Sequence, residues 1–335
     1  AGDSIGWGPF DNEVAQSLQE GRFHNVLGNY DHNILKIRLG GAPRNGDGTS
    51  LKHKVADHAV SNLSDASMAF LLGLPEELRF VLDGKRVLVT HASPVSIEEP
   101  VHEGVPESRM NELADASKAD LVVMGHTHRC LDREVSNVRF INPGSVGRHV
   151  GGDPRASYAL LDPADLAVEF VKVRYDLEEV ADKVISEGMP KKLAMMYLSG
   201  RSPDEPEERV HPRSLMDRPS KLMLVEEVAR SFGHLDDHTR FVRSTAVQLF
   251  DHLQGEHRLG ERERYWLECG ALLHDIGWSV GGEDHNRSSF NLVLIDDRLP
   301  LDERERLIVA DLSRYHRKGL PKKEHANYGV LDRKE

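Results

Sequence analysis

The stretch LVVMGHTHRC, residues 121–130, decides how this chain reads. Four apolar residues, Leu121–Met124, run into Gly125, and two histidines, His126 and His128, follow with one threonine between them. A short unbroken apolar run bounded by glycine fits a strand buried on both faces. Residues just past the carboxyl end of such a strand stand at the usual ligand crevice of an α/β sheet. Two imidazoles there can aim at a common centre, and imidazole is the commonest metal ligand. Taken alone, the pair is equally a pair of exposed loop histidines.

The same unit recurs along the first 200 residues. Gly2-Asp3 opens the chain. Gly28-Asn29-Tyr30-Asp31 follows a strand expected at Phe23–Leu27. Thr90-His91-Ala92-Ser93-Pro94 follows Arg86–Val89, and Asn142-Pro143-Gly144-Ser145 follows Val138–Ile141. Each offers Asp, Asn or His where a strand ends. A mixed oxygen and nitrogen shell suits Mn²⁺, Fe, Ni²⁺ or Zn²⁺ rather than a structural cysteine site. Further strands are expected at Tyr158–Leu161 and Ala167–Val173, and helices at Asn12–Leu18, Ser64–Leu72 and Asp176–Ser186. This alternation predicts a layered α/β domain over residues 1–200.

The ordered blocks GDSIGWGPFDNEV, VLGNYD, VTHASP, MGHTH and NPGSVG resemble the calcineurin-like metallophosphoesterase superfamily, in its branch of small bacterial and archaeal phosphodiesterases. The resemblance implies a β-sandwich flanked by helices and two divalent ions. It implies Asp3 as the bridging ligand, Asn29, His91 and His126 as partners at one ion, and His128 at the other. It places His126, Tyr30 and Asp31 among the candidate catalytic groups. Two departures stand out. No Asp-x-His motif precedes Asp3, so the chain reads as clipped, lacking its first strand. Tyr30 stands where many relatives carry the histidine that protonates the leaving group.

Residues 201–220, RSPDEPEERVHPRSLMDRPS, read as a linker, and from 221 onward the pattern is all helical. Phe241, Val242, Ala246, Leu249, Phe250 and Leu253 lie on one face at the helical period and are expected to pack inward. Tyr265–Leu273 is apolar almost all round and is expected to be buried. Asp302 and Glu305 have the spacing of a capping box.

In LLHDIGW, His274 and Asp275 end that buried helix, where a carboxylate needs a partner or a metal. The plainer reading is a histidine satisfying the last carbonyls. With His238, His285 and His316, the stretches LFDHL, LLHDIGW and RYHRKGLP resemble the HD phosphohydrolase superfamily, in the form that follows the catalytic region of exopolyphosphatase and guanosine pentaphosphatase proteins. The resemblance implies an all-α HD domain over residues 221–335. His238, His274 and Asp275 would bind one metal, and His285 and His316 a second. The family's final Asp ligand has no counterpart before Glu335, so this end also reads as clipped. Arg287, Arg314, Arg317 and Lys318 are candidate phosphate ligands, or equally a solvated basic helix end.

Net charge is −12, which argues against broad nucleic-acid binding. No apolar run is long enough to span a bilayer, and Cys130 and Cys269 lack metal spacing, so a reduced, cytoplasmic protein is expected. The expectation is therefore a metal-dependent phosphohydrolase acting on a small phosphate ester or nucleotide, with two sites. The alternative is one active domain regulated by a nucleotide- or metal-binding HD domain. Oligomeric state is not legible in the sequence.

Overall fold

The computed structural model describes residues 1–40, 50–203, 216–317, 319–322 and 325–331. The chain divides into two compact units. The first holds Ala1–Tyr175 and Ser186–Ser202; the second holds Asp176–Ile185 and Pro203–Glu335. Most of the expected linker, residues 204–215, lies outside the described residues.

The first unit is built on a five-stranded mixed sheet in the order β1-β2-β3-β5-β4, with β1 Glu77–Leu82, β2 Lys85–Thr90, β3 Leu121–Val123, β4 Cys130–Val135 and β5 Val138–Pro143. The three central strands are parallel; β1 and β4 run antiparallel at the edges. Val87, Leu121 and Ile141 on one face meet Leu161, Val168 and Phe170 of a two-stranded sheet, β6 Ala156–Leu161 and β7 Val168–Val173. The other face carries Leu88, Val122 and Phe140, packed with Met110 and Leu113 of a helix at Glu107–Ser117. With apolar matter on both sides, the parallel strands read as continuous hydrophobic runs. The two-sheet expectation thus appears as a five-stranded layer against a two-stranded one.

The expected strand Phe23–Leu27 is not a strand. The Leu27 N–H finds the Pro75 carbonyl, but residues 23–28 form no ladder among the described residues. Apolar character alone does not make a strand; a neighbouring edge with free backbone groups is needed. The segment leads into the helix Asn29–Arg38, whose amino end carries the GNYD block.

The second unit is helical: Arg218–Ser231, Asp237–His252, Glu261–Leu273, His285–Ile295 and Glu303–Arg314 are its long helices. Asp176–Ile185, which include all but the last residue of helix Leu177–Ser186, belong to this unit, although the chain on either side of them belongs to the first. Helix Glu261–Leu273 is buried along most of its length. Asp302 and Glu305 form the capping box. The helix Asp237–His252 is turned otherwise than expected. Phe241 is 70% exposed, and Leu249 and Leu253 are exposed too. Buried Glu268 supplies the reason. It needs cations, and Arg243 provides two bonds at 2.9 and 2.7 Å. Drawing Arg243 inward turns Phe241, two residues away and so nearly opposite on the helix, out to solvent.

Candidate metal centres

The carboxyl ends of β2, β3 and β5 lie side by side, and the loops beyond them build the first site. His91 follows β2. Its Nδ1 donates to the Ala1 carbonyl at 2.8 Å, which leaves the Nε2 lone pair facing the site in the neutral ring. That Nε2 stands 2.9 Å from Asn29 Oδ1, 3.2 Å from His126 Nδ1 and 3.3 Å from Asp3 Oδ2. His126 Nδ1 is also 3.2 Å from Asn29 Oδ1. Electron-rich atoms do not gather this closely without a cation or a proton between them. Ligands about 2.1 Å from an ion have mutual spacings of about 3.0 Å in an octahedron and about 3.4 Å in a tetrahedron. The Asn29, His91 and His126 atoms have the spacing of ligands to one divalent ion, with the Asp3 carboxylate beside His91.

Three of the expected metal ligands sit on strained backbone. Asp3, His126 and His128 have φ of 52°, 65° and 60°. A non-glycine residue held there costs of order 1–3 kcal/mol, and such strain gathers at functional sites. Buried Asn142 holds the strained loop: its Nδ2 donates to the Gly125 carbonyl at 2.5 Å and to Thr127 Oγ1 at 3.0 Å. Asn142 is thus a positioning residue rather than one of the converging donors. Gly28 is required by proximity, since a Cβ there would lie 2.1 Å from Asp3 N and Oδ1.

Electrostatics keep Asp3 ionised and His126 and His128 neutral, whereas His91 goes the other way: burial lowers it, but its bond to Asp3 and the Asp3 charge raise it. Burial raises the Asp3 carboxyl, but its bond to and the charge of His91 outweigh that and hold it below the usual range. Burial pushes His126 down, with the charge of His91 adding to it. His128 is pushed down to about 3, first by burial and then by the Arg148 guanidinium. Neutral imidazoles are the form that ligates. His128 lies within electrostatic reach of Asp3, His126 and His91.

Asp31, expected among the catalytic groups, is fully buried. Its oxygens accept from the N–H groups of Ser4 at 3.0 Å, Ile5 at 3.3 Å and Gly28 at 2.9 Å. It ties the opening loop to the Asn29 helix and has no access to a substrate. Tyr30 is half-buried; its N–H donates to Asp3 Oδ1 at 2.8 Å, and its hydroxyl accepts from Arg148 Nη1 at 3.3 Å. Arg148 lies 3.9 Å over the Trp7 ring. Nothing in the motif blocks singled out Arg148 or Trp7; only folding brings them to this wall.

The second site centres on Asp275. Its Oδ2 is 3.2 Å from His274 Nε2 and 3.6 Å from His238 Nε2, and those two nitrogens are 3.4 Å apart. Its Oδ1 is 3.4 Å from His285 Nε2 and 3.5 Å from His316 Nε2. One carboxylate thus faces two histidine pairs, each with the spacing of a metal ligand group. His274 does both things its position allowed: Nδ1 donates to the Ala271 carbonyl at 2.8 Å, and Nε2 faces Asp275. His316 likewise donates from Nδ1 to Ser313 at 2.7 Å. His285 differs. It is 3% exposed, stacks on Trp278 at 4.3 Å, and neither ring nitrogen has a hydrogen-bond partner. The Nε2 that faces Asp275 is thus available as a metal ligand. Burial would raise Asp275, but the His274 bond and charge override it and hold the carboxyl down at about 2. Ser289 anchors the turn, donating to the His274 carbonyl at 2.7 Å and accepting from Gly277 N–H at 2.9 Å.

The four candidate phosphate ligands, equally read as a solvated helix end, can be placed only in part. Arg287 and Arg314 both donate through Nε to buried Glu178. Arg317 is exposed, and Lys318 lies outside the described residues.

Comparison with known proteins agrees with this division. Residues 1–165 match the family model of the calcineurin-like phosphoesterase superfamily domain. Residues 223–335 match domain III of the Ppx/GppA phosphatases. The first unit therefore carries a calcineurin-like metallophosphoesterase domain, of a family that uses divalent metals; the second is an added helical domain. The chain is 27% identical over 218 residues to the uncharacterized protein MJ0912 of Methanocaldococcus jannaschii, spanning 60% of this chain and 85% of that one. The hypothetical protein PH1004 of Pyrococcus horikoshii OT3 superposes with a TM-score of 0.53 at 20% identity, over 60% of this chain and 84% of its own, which shows the fold. Among the described residues no helix is long and apolar enough to cross a membrane.

Proposed function

We propose that the first unit hydrolyses phosphate esters, diesters or monoesters, with divalent ions held by Asp3, Asn29, His91, His126 and His128. The observation that carries this is the convergence of Asn29, His126 and Asp3 on the Nε2 of His91. Bound there, divalent ions would neutralise phosphate charge and supply a hydroxide nucleophile at neutral pH. The residues do the rest. Asn142 fixes the loop that aims His126. Asp31 fixes the loop that carries Asp3. Arg148 places positive charge beside the ligands and fixes the Tyr30 hydroxyl.

In the same reading, the second unit is an HD-type phosphohydrolase site, with His238, His274, Asp275, His285 and His316 as ligands. The test is Mn²⁺-dependent hydrolysis of bis-p-nitrophenyl phosphate by the full chain. His126→Ala should abolish diesterase turnover with the fold retained, and unchanged turnover would refute the assignment. His274→Ala, assayed over a nucleotide panel, reads the second site separately.

A further inference from the structure

The second site contains a ligand without its own support. Metal-binding histidines are usually oriented by a hydrogen bond from the other ring nitrogen. His274 and His316 have such bonds, to Ala271 and Ser313. His285 has none, and stands where the first turn of its helix and the Trp278 ring put it. Its spacing from His316 therefore depends on how the start of helix His285–Ile295 sits against the end of helix Glu303–Arg314.

Two ties fix that junction. Asn286 Nδ2 donates to the Arg314 carbonyl at 2.9 Å. The stronger tie comes from a third helix. Glu178, in the first turn of Leu177–Ser186, is 2% exposed and accepts from Arg287 Nε at 2.9 Å and Arg314 Nε at 2.8 Å through the same oxygen, Oε2. Its Oε1 accepts from Arg314 again at 2.9 Å. Arg287 also meets Asp176 at 3.1 Å. Farther along this helix, Asp182 accepts from Ala326 N–H at 2.7 Å. Charge-assisted bonds of this kind are short and directional, and a buried carboxylate shared between two guanidinium groups holds them at a set separation. Arg287 lies two residues after His285, and Arg314 two before His316. The corresponding tie between the helices of His238 and His274, Arg243 to buried Glu268, lies five and six residues from those two histidines, so it holds them less directly.

We propose that Glu178 is a positioning residue for one half of the second metal centre: by clamping Arg287 to Arg314 it sets the distance between His285 and His316 at Asp275 Oδ1. The inference rests on the metal-binding reading of that centre. It makes helix Leu177–Ser186 a working part of the site. It also gives Arg287 and Arg314 the task of receiving a carboxylate of the chain itself.

The experiment is Mn²⁺ binding to the full chain, counted from the free-ion electron paramagnetic resonance signal, with thermal melts recorded alongside. Glu178→Ala should weaken one Mn²⁺ by tenfold or more, the usual scale for losing an outer-shell partner. The other ions should bind as before, and adding His285→Ala should cause little further loss. A general structural role would instead lower all second-unit affinities together with the melting temperature, and that result would overturn the proposal. So would an isotherm matching the wild type while His285→Ala alone loses an ion. If neither His274→Ala nor His285→Ala changes the wild-type isotherm, the metal reading itself fails, and the proposal with it. Should Glu178→Ala not fold, Arg287→Gln, which leaves Glu178 bonded to Arg314, is expected to show the same selective loss.

Discussion

Replacing Asp311 by asparagine should make the second unit more stable at alkaline pH. Asp311 is buried, and one oxygen accepts from Asn327 Nδ2. Its other oxygen and the Asn327 side-chain oxygen are both buried without a partner. Two facing acceptors are unsatisfied while Asp311 is ionised. If Asp311 keeps its proton, Oδ2–H can donate to Asn327 Oδ1, and the two side chains close a reciprocal acid–amide pair. Burial pushes the carboxyl from 3.8 up to about 8, even though the Asn327 bond pulls the other way. Between those limits the folded chain holds a proton that the unfolded chain has released. Stability from this group is therefore full below about pH 4 and is lost as pH rises, by about 1.4 kcal/mol per unit. The window of about 4 units sets a ceiling of about 6 kcal/mol. Relaxation around the charge would leave about half of that. An asparagine at 311 forms the same pair at every pH. Calorimetric melts of Asp311→Asn and wild type should nearly coincide at pH 4. They should separate by roughly 10 °C by pH 8.5, at about 2–4 °C per kcal/mol for a unit of this size. Parallel melting curves across that range would show that Asp311 does not hold its proton, and would refute the pairing.

Two further perturbations address the first unit. Asn142→Ala removes both side-chain bonds to the strained GHTH loop, so turnover of bis-p-nitrophenyl phosphate should fall by about 100-fold through misplacement of His126; melting at an unchanged temperature with unchanged turnover would deny Asn142 a positioning role. Gly28→Ala sets a methyl group against Asp3, so Mn²⁺ affinity should drop sharply, and a variant binding Mn²⁺ like the wild type would show that Asp3 is not confined there.

Much of the first unit was legible because each motif block couples a buried strand to a ligand-bearing loop. Leu121–Val123, Lys85–Thr90 and Val138–Pro143 are continuous apolar or alternating runs, and the period of two reads them directly. The order of the blocks named the family. Local chemistry also showed the Asp302 capping box and the buried Tyr265–Leu273 helix. What it could not show is rotation and pairing. The Asp237–His252 helix has an apolar stripe, but which stripe turns inward was decided by Glu268, a charge on another helix. Phe23–Leu27 has strand composition but joins no ladder among the described residues.

The sequence by itself determined which residue types are available at strand and helix ends, because periodicity and turn chemistry act over a few neighbours. Only the tertiary structure decided which of them meet. Asp31 and Asp3 lie in equally polar stretches, yet one is closed off by backbone N–H groups and the other faces His91. Arg287 and Arg314 look like anion ligands in the sequence, and a carboxylate more than 100 residues earlier in the chain occupies them. Burial multiplies the strength of charge interactions, and burial is a property of the packed chain rather than of any segment of it.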